Sequence, residues 1–232
     1  MPVYELSDEL IFPDPSLAEE DGLLAIGGDL SINRLILAYS NGIFPWYDKD
    51  SPILWWALNP RMVLLLDNFK ISKSLKQQLK KNEFKITFDK AFKEVINQCS
   101  KIPRKNQQGS WITDEMKNAY VNLHKAGFAH SVECYSNNKL LGGLYGVSLG
   151  KVFFGESMFH LQTNVSKIAF CALIQQLRTW NFQIIDAQME TPLLKNFGAY
   201  LIPFEDYSEK LCNALNHDTK KGNWTKLINN KM

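Results

Sequence analysis

Apolar positions recur along this chain with two different periods, and the change between them organises it. Ile32, Leu35, Ile36 and Tyr39 repeat at helical spacing, with Asp29 or Ser31 placed to cap the run. Met62 to Leu66 is unbroken and apolar, which predicts a buried strand. A helix is predicted over 71–81 with Lys73, Lys76 and Lys80 on one face, then a short strand over 84–88 and a helix over 92–99. Residues 101–109 are polar and predict a mobile loop, after which helical spacing returns over 116–124. From Phe128 the pattern turns extended: 129–135 alternates, Asn137-Asn138 marks a turn, and 140–147 and 152–158 form a hairpin through Leu149-Gly150. The strongest helix spans 164–180, where Val165, Ile168, Ala169, Ala172, Leu173, Leu177 and Trp180 share a stripe that Phe170 and Ile174 widen. A strand over 182–187, a short helix over 193–197, a strand over 200–204, a helix over 207–216 and a basic, polar tail complete the reading.

The first sixty residues look different, being dense in turn formers and aromatics from Phe12-Pro13-Asp14-Pro15 to Trp55, Trp56 and Pro60. A linker would lack those aromatics, so they predict a compact, irregular N-terminal module over 1–62 and a second domain over 63–232. In that second domain the order strand, hairpin, long helix, strand, helix, strand predicts an α+β core of the GNAT acyltransferase type.

Composition narrows the class. The 232 residues are 45% hydrophobic and 22% charged, ordinary for a globular chain. No apolar run is long enough for a membrane span, and the start carries no basic stretch followed by an apolar segment; neither export nor insertion is expected. Cys99, Cys134, Cys171 and Cys212 lie far apart, which suggests neither zinc nor a disulfide framework and points to a reducing cytoplasm. The net charge of +2 hides an asymmetry: residues 1–30 hold eight acidic side chains and no Lys or Arg, whereas 70–85 hold six lysines against Glu83.

Candidate chemistry sits where buried strands end on polar groups. Val152, Phe153 and Phe154 lead into Glu156, and Phe182, Ile184 and Ile185 lead into Asp186, followed by Gln188. A carboxylate at the edge of an apolar core is costly unless something pairs with it or uses it. Two such positions mark either a pair of satisfied structural carboxylates or a reaction centre.

The strings GLLAIGGDL, AYSNGIFPWY, ILWWALNPRMVL, GSWIT, AYVNLHKAGFAHSVE, LLGGLYGVSLGKVFFGESMF and IDAQ, in this order from about Glu5 to Pro203, resemble the leucyl/phenylalanyl-tRNA–protein transferase family. The resemblance implies transfer of Leu or Phe (with Met left open) from aminoacyl-tRNA to a protein whose N-terminal residue is Arg or Lys, marking it for degradation. It implies an N-terminal module joined to a GNAT-like domain. An aminoacyl ester is already activated, so amide formation needs no ATP, metal or other cofactor; the site must orient two substrates and move a proton.

By the same resemblance, Glu156 holds the α-amino group of the transferred residue, and Gln188 accepts a hydrogen bond from the incoming amine while Asp186 polarises it or relays the proton. Trp46 and Trp111, each beside turn residues, either stack the terminal adenine of tRNA, worth roughly 1–3 kcal/mol per base, or belong to the core. Trp55 and Trp56 read as structural. Leu144, Phe153, Met158, Phe170, Leu173, Leu177 and Ile185 match the family's apolar pocket for the Leu or Phe side chain; each alone reads equally well as core. Lys70, Lys73, Lys76, Lys80 and Lys81, joined by Arg61, would grip tRNA phosphates, or form a solvated face.

The chain departs from the family pattern at Ala187, at 191–199 where a His is expected, at Phe204 for an Arg, at Ser110, and at His160 for a Ser. The Ala187 and Ser110 exchanges are conservative, whereas loss of the His and the Arg bears on acceptor recognition. Two other readings compete. An acetyl-CoA enzyme would carry a glycine-rich turn at the start of the long helix, and 160–167 has no glycine. A non-catalytic tRNA-binding module would not need Glu156, Asp186 and Gln188 together.

Overall fold

The computed structural model describes residues 3–102 and 111–229. Most of the predicted 101–109 loop, with Ser110, lies outside the described residues. The N-terminal region is more regular than its turn formers predict. Strands β1 (Tyr4–Leu6), β2 (Leu23–Gly27), β3 (Phe44–Pro45) and β4 (Leu54–Trp56) form a sheet in the order β1-β2-β4-β3. They escape the sequence pattern because each is two to five residues long, too short to show alternation. Helix α1 (Ile32–Ser40) lies between β2 and β3, and of the two candidate caps Ser31 makes the bond, accepting from the Arg34 N–H.

A seven-stranded sheet follows. In chain order it comprises β5 (Arg61–Leu65), helix α2 (Lys73–Lys80), β6 (Lys85–Phe88), α3 (Phe92–Ser100), α4 (Asp114–Lys125), β7 (Ala129–Ser136), β8 (Lys139–Leu149), β9 (Val152–His160), α5 (Val165–Thr179), β10 (Ile184–Gln188), α6 (Pro192–Asn196), β11 (Tyr200–Ile202) and α7 (Phe204–Leu215). The strands lie in the order β11-β5-β10-β9-β8-β7-β6. The predicted elements of this region are all present, with ends shifted by a few residues. The described residues thus form a mixed α and β structure with two sheets.

The unbroken apolar strands have a simple cause: both faces of the large sheet are covered. Val63, Phe154 and Ile184 point into one core, shared with α1, α3, α4 and the N-terminal sheet. Their neighbours Met62, Leu64, Phe153 and Ile185 point into a second core, beneath α5.

The tail after α7 is not simply polar. It forms helix α8 (Trp224–Asn229), pinned by one large residue. The fully buried Trp224 stacks on His130 with ring centroids 3.9 Å apart, and its backbone N–H donates to Asp89 at 2.7 Å. Nothing in the periodicity of so short a segment announces that contact.

Candidate active site

Strands β9 and β10 run parallel and pair from Val152–Ile184 to Phe154–Asp186, then part. Beyond that point β9 stays with β8, and β10 stays with β5. Between them opens a cavity of about 340 Å³, lined by Gly155, Glu156 and Ser157 on one side and Ala187 and Gln188 on the other. That volume is within the range of small-ligand sites.

Each parting strand carries a bulge at this point. On β9, Tyr145 faces Ser157 and Gly146 faces Gly155, so Glu156 is the extra residue. On β10, Val63 faces Asp186 and Met62 faces Gln188, so Ala187 is the extra one. A bulge re-aims a side chain out of the alternating pattern. Gly146 is required beside it: a Cβ there would sit 2.2 Å from the Phe154 carbonyl oxygen and 2.6 Å from the Phe153 ring. Gln188 adopts φ +54°, a conformation that costs a side-chain-bearing residue about 1–3 kcal/mol and clusters at functional sites. Its N–H is held by Asp186 Oδ1 at 3.0 Å.

Asp186 is fully buried and has four donors: Arg61 Nε at 2.9 Å, Arg61 Nη2 at 2.7 Å, the Tyr207 hydroxyl at 2.7 Å, and the Gln188 N–H. Arg61 is itself fully buried, its guanidinium lying 4.8 Å from the ring centres of both Phe44 and Tyr207. Burial alone would weaken its charge, but Asp186 and Tyr207 more than reverse that and hold it protonated. Arg61 is therefore not a surface phosphate contact; its charge is spent inside the protein on Asp186. The Gln188 amide is assigned from its surroundings: two carbonyl oxygens, of Gly155 at 2.9 Å and Ala187 at 3.0 Å, call for its nitrogen as donor, which leaves its oxygen as an acceptor.

Glu156 Oε1 lies 2.7 Å from the hydroxyl of Tyr39 and Oε2 lies 3.0 Å from that of Tyr120, both within hydrogen-bond distance. Burial raises its carboxyl to a pKa of about 7; the phenols and Arg61 counter that rise, and Asp186 adds to it. Tyr39, Tyr120 and Tyr207 are pushed well above the ordinary phenol range, chiefly by burial and then by the neighbouring carboxylates.

Of the pocket residues named from the sequence, Leu144, Phe153, Met158, Phe170, Leu173 and Ile185 line this cavity. Leu177 does not; one turn past Leu173 on α5, it is fully buried in the second core. Trp46 and Trp111 also line the cavity. Trp56 braces Trp46 by donating its indole N–H to the Trp46 carbonyl oxygen at 2.6 Å, while Trp55 is fully buried and donates to Gly27. Lys70, Lys73, Lys76, Lys80 and Lys81 are all exposed on or beside α2. His160 is exposed at the far end of β9, 3.3 Å from the Ser166 hydroxyl, and does not line the cavity.

The departing segment after Gln188 does reach the cavity, through Thr191, Leu193 and Leu194, with Met189 also on its wall. Phe204 does not: it starts α7, its N–H bound to the Asn59 side chain. Sequence reasoning missed Tyr39, Tyr120 and Tyr207. Their only signal is hydrogen-bonding capacity on otherwise apolar helical stripes.

The family described as leucyl/phenylalanyl-tRNA protein transferase matches residues 63–212, and the N-terminal domain of the same family matches 28–58. A leucyl/phenylalanyl-tRNA–protein transferase of Desulfatibacillum aliphaticivorans is 50% identical over 225 residues, covering 97% of each chain. One from Myxococcus xanthus is 48% identical over 227 residues, again covering 97% of each. Among solved structures, an aminoglycoside acetyltransferase from an uncultured soil metagenomic sample aligns at TM-score 0.36 and 14% identity, over 58% of this chain and 88% of that one. That likeness is too distant to argue from. Near-half identity over almost the full length is not: the chain belongs to the leucyl/phenylalanyl-tRNA–protein transferase family of aminoacyltransferases.

Proposed function

We propose that this protein transfers Leu or Phe from its tRNA to proteins beginning with Arg or Lys, and so marks them for degradation in the cytoplasm. The observation that carries the reading is the single cavity in which Glu156, Gln188, Trp46, Trp111 and an apolar wall meet. The apolar wall takes the Leu or Phe side chain, and Glu156 binds the α-amino group. Trp46 and Trp111 stack the terminal adenosine. The lysines of α2 hold tRNA phosphates without reading sequence. We place the boundary between the N-terminal module and a GNAT-like catalytic domain at 62/63. Family matches that break off at 58 and resume at 63 support the boundary, and the order hairpin, long helix, parallel strand supports the GNAT-like arrangement.

In the reaction the acceptor amine attacks the ester carbonyl; a C–N bond forms and the bond to the ribose oxygen breaks. The amine loses a proton and the ribose oxygen gains one. The Gln188 oxygen accepts a hydrogen bond from the attacking amine and orients it. Asp186 is a positioning residue: its two oxygens accept from four donors, and through one of them it holds the Gln188 backbone in place.

The test is to incubate purified protein with radiolabelled Leu-tRNA and peptides beginning with Arg, Lys, Asp or Ala. Label should move to the Arg and Lys peptides. Label on none of the four would overturn the transferase reading, and label on Asp or Ala peptides would overturn the acceptor assignment.

A further inference from the structure

Three side chains from distant parts of the sequence meet where Glu156 lines the cavity, the two tyrosines lying behind it: Tyr39 from α1, Tyr120 from α4 and Glu156 from the β9 bulge. Tyr39 Oη lies 2.7 Å from Glu156 Oε1, Tyr120 Oη lies 3.0 Å from Oε2, and the two phenol oxygens are in hydrogen-bond contact with each other. Both tyrosines are fully buried.

Three oxygen–oxygen contacts need three protons, and two phenols bring two. If Glu156 is ionised, each phenol donates to one carboxylate oxygen. The phenol–phenol contact then has no hydrogen in it, and lone pairs face each other in a closed site. If Glu156 is the acid, the count closes. Its O–H donates to Tyr120, Tyr120 donates to Tyr39, and Tyr39 donates to the other carboxyl oxygen. Every donor points the same way around the ring, the arrangement in which hydrogen bonds reinforce one another.

We propose that Glu156 rests as the neutral acid in this ring and gives the third proton to a ligand amine that enters the cavity. The ligand class is a primary aliphatic α-amine, which the reading of the cavity as an aminoacyl site also requires. In the step, the carboxyl O–H bond breaks, an N–H bond forms on the amine, and an ammonium–carboxylate pair remains. The two phenols then donate to the two carboxylate oxygens and their contact with each other opens, while the ammonium ion supplies a charge-assisted bond to the carboxylate. A ligand amine is thus taken up as the free base, so that no unpaired buried charge exists before it arrives.

The other groups facing the ring are consistent with this. Tyr145 of β8 packs edge-on against Tyr120 with ring centroids 5.6 Å apart. The charge of Asp186 on β10 favours the neutral acid, and that of Arg61 on β5 opposes it. Tyr207 of α7 is engaged with Asp186 and Arg61. Burial outweighs them all and raises the Glu156 carboxyl to about 7.

Infrared difference spectroscopy of the full chain, wild type minus Glu156→Gln, tests the proposal. The unliganded protein should show a protonated-carboxyl C=O band at about pH 6 that fades as the pH passes about 7. Leucinamide should abolish the band at about pH 6, and 4-methylpentanamide, the same side chain without the amine, should leave it. If Glu156→Gln does not fold, Tyr120→Phe replaces it as the reference: removing the hydroxyl that accepts the carboxyl proton must shift the band. No band in the unliganded protein overturns the resting state, and a band that leucinamide leaves in place overturns the proton transfer. Both responses in a protein that moves no label from Leu-tRNA support the ring and refute only the transferase reading.

Discussion

Glu156 and Asp186 occupy matching places on neighbouring strands, each at a bulge where β9 and β10 part, yet their surroundings are opposite. Asp186 faces a buried guanidinium that binds it with two nitrogens, a phenol and a backbone N–H. Glu156 faces two phenols and no bound cation. One carboxylate is saturated with donors. The other has two phenol partners and is poised near neutrality. On the roles proposed above, two acids of the same chemistry take different work, positioning for one and proton exchange for the other, because their neighbours differ.

The sharpest way to break this contrast is Asp186→Asn, which strands the buried Arg61 charge. It should cost about 3–5 kcal/mol of stability in urea unfolding and abolish transfer. Combining Arg61→Met with Asp186→Leu should recover much of that stability without restoring transfer, since the paired charges are removed together.

Glu156→Gln should behave in the opposite sense. The folded carboxyl titrates at about 7 against an ordinary 4.5, so between those values the native state keeps a proton that the unfolded chain has lost. Wild-type stability contributed by this group therefore falls as pH rises through that window, by up to about 3 kcal/mol. The non-titrating variant should match wild type below about pH 4.5 and be more stable above about pH 7, measured by thermal unfolding across the range. An advantage that shrinks with rising pH would reverse the assignment.

Tyr207→Phe tests how far the donors on Asp186 matter individually. Losing one hydrogen bond to a buried charge should cost about 1.5–3 kcal/mol, and transfer should slow while the preference between Leu and Phe is unchanged. The smallest effect on stability, within about 0.5 kcal/mol, is expected for Lys73→Glu with Lys76→Glu, because both side chains are exposed. That variant should instead weaken tRNA binding and reduce its salt dependence by about one unit of slope per lysine. An unchanged slope would make the basic face merely solvated.

How legible each feature was depended on whether its cause is local. Helix α5 and the β8–β9 hairpin were readable because their apolar periods run for many residues. Strands β1 to β4 were not, being too brief to show a period. Helix α8 was missed because one residue, Trp224, holds it by stacking on a strand far back in the chain. Arg61 was misplaced for a related reason: its closeness in sequence to the lysine face suggested a shared surface, and only its partner 125 positions later explains its burial.

Local pattern alone determined the helices and strands from β5 to α7 and which polar residues stand at the ends of buried strands, and resemblance of whole strings gave the family. Tertiary structure decided what those residues are. The ring at Glu156 needs hydroxyls from α1 and α4, and the clamp on Asp186 needs β5 and α7, so neither is encoded within any one stretch of chain. Protonation state and positioning follow from the field at a point, and that field comes from groups which only folding brings together.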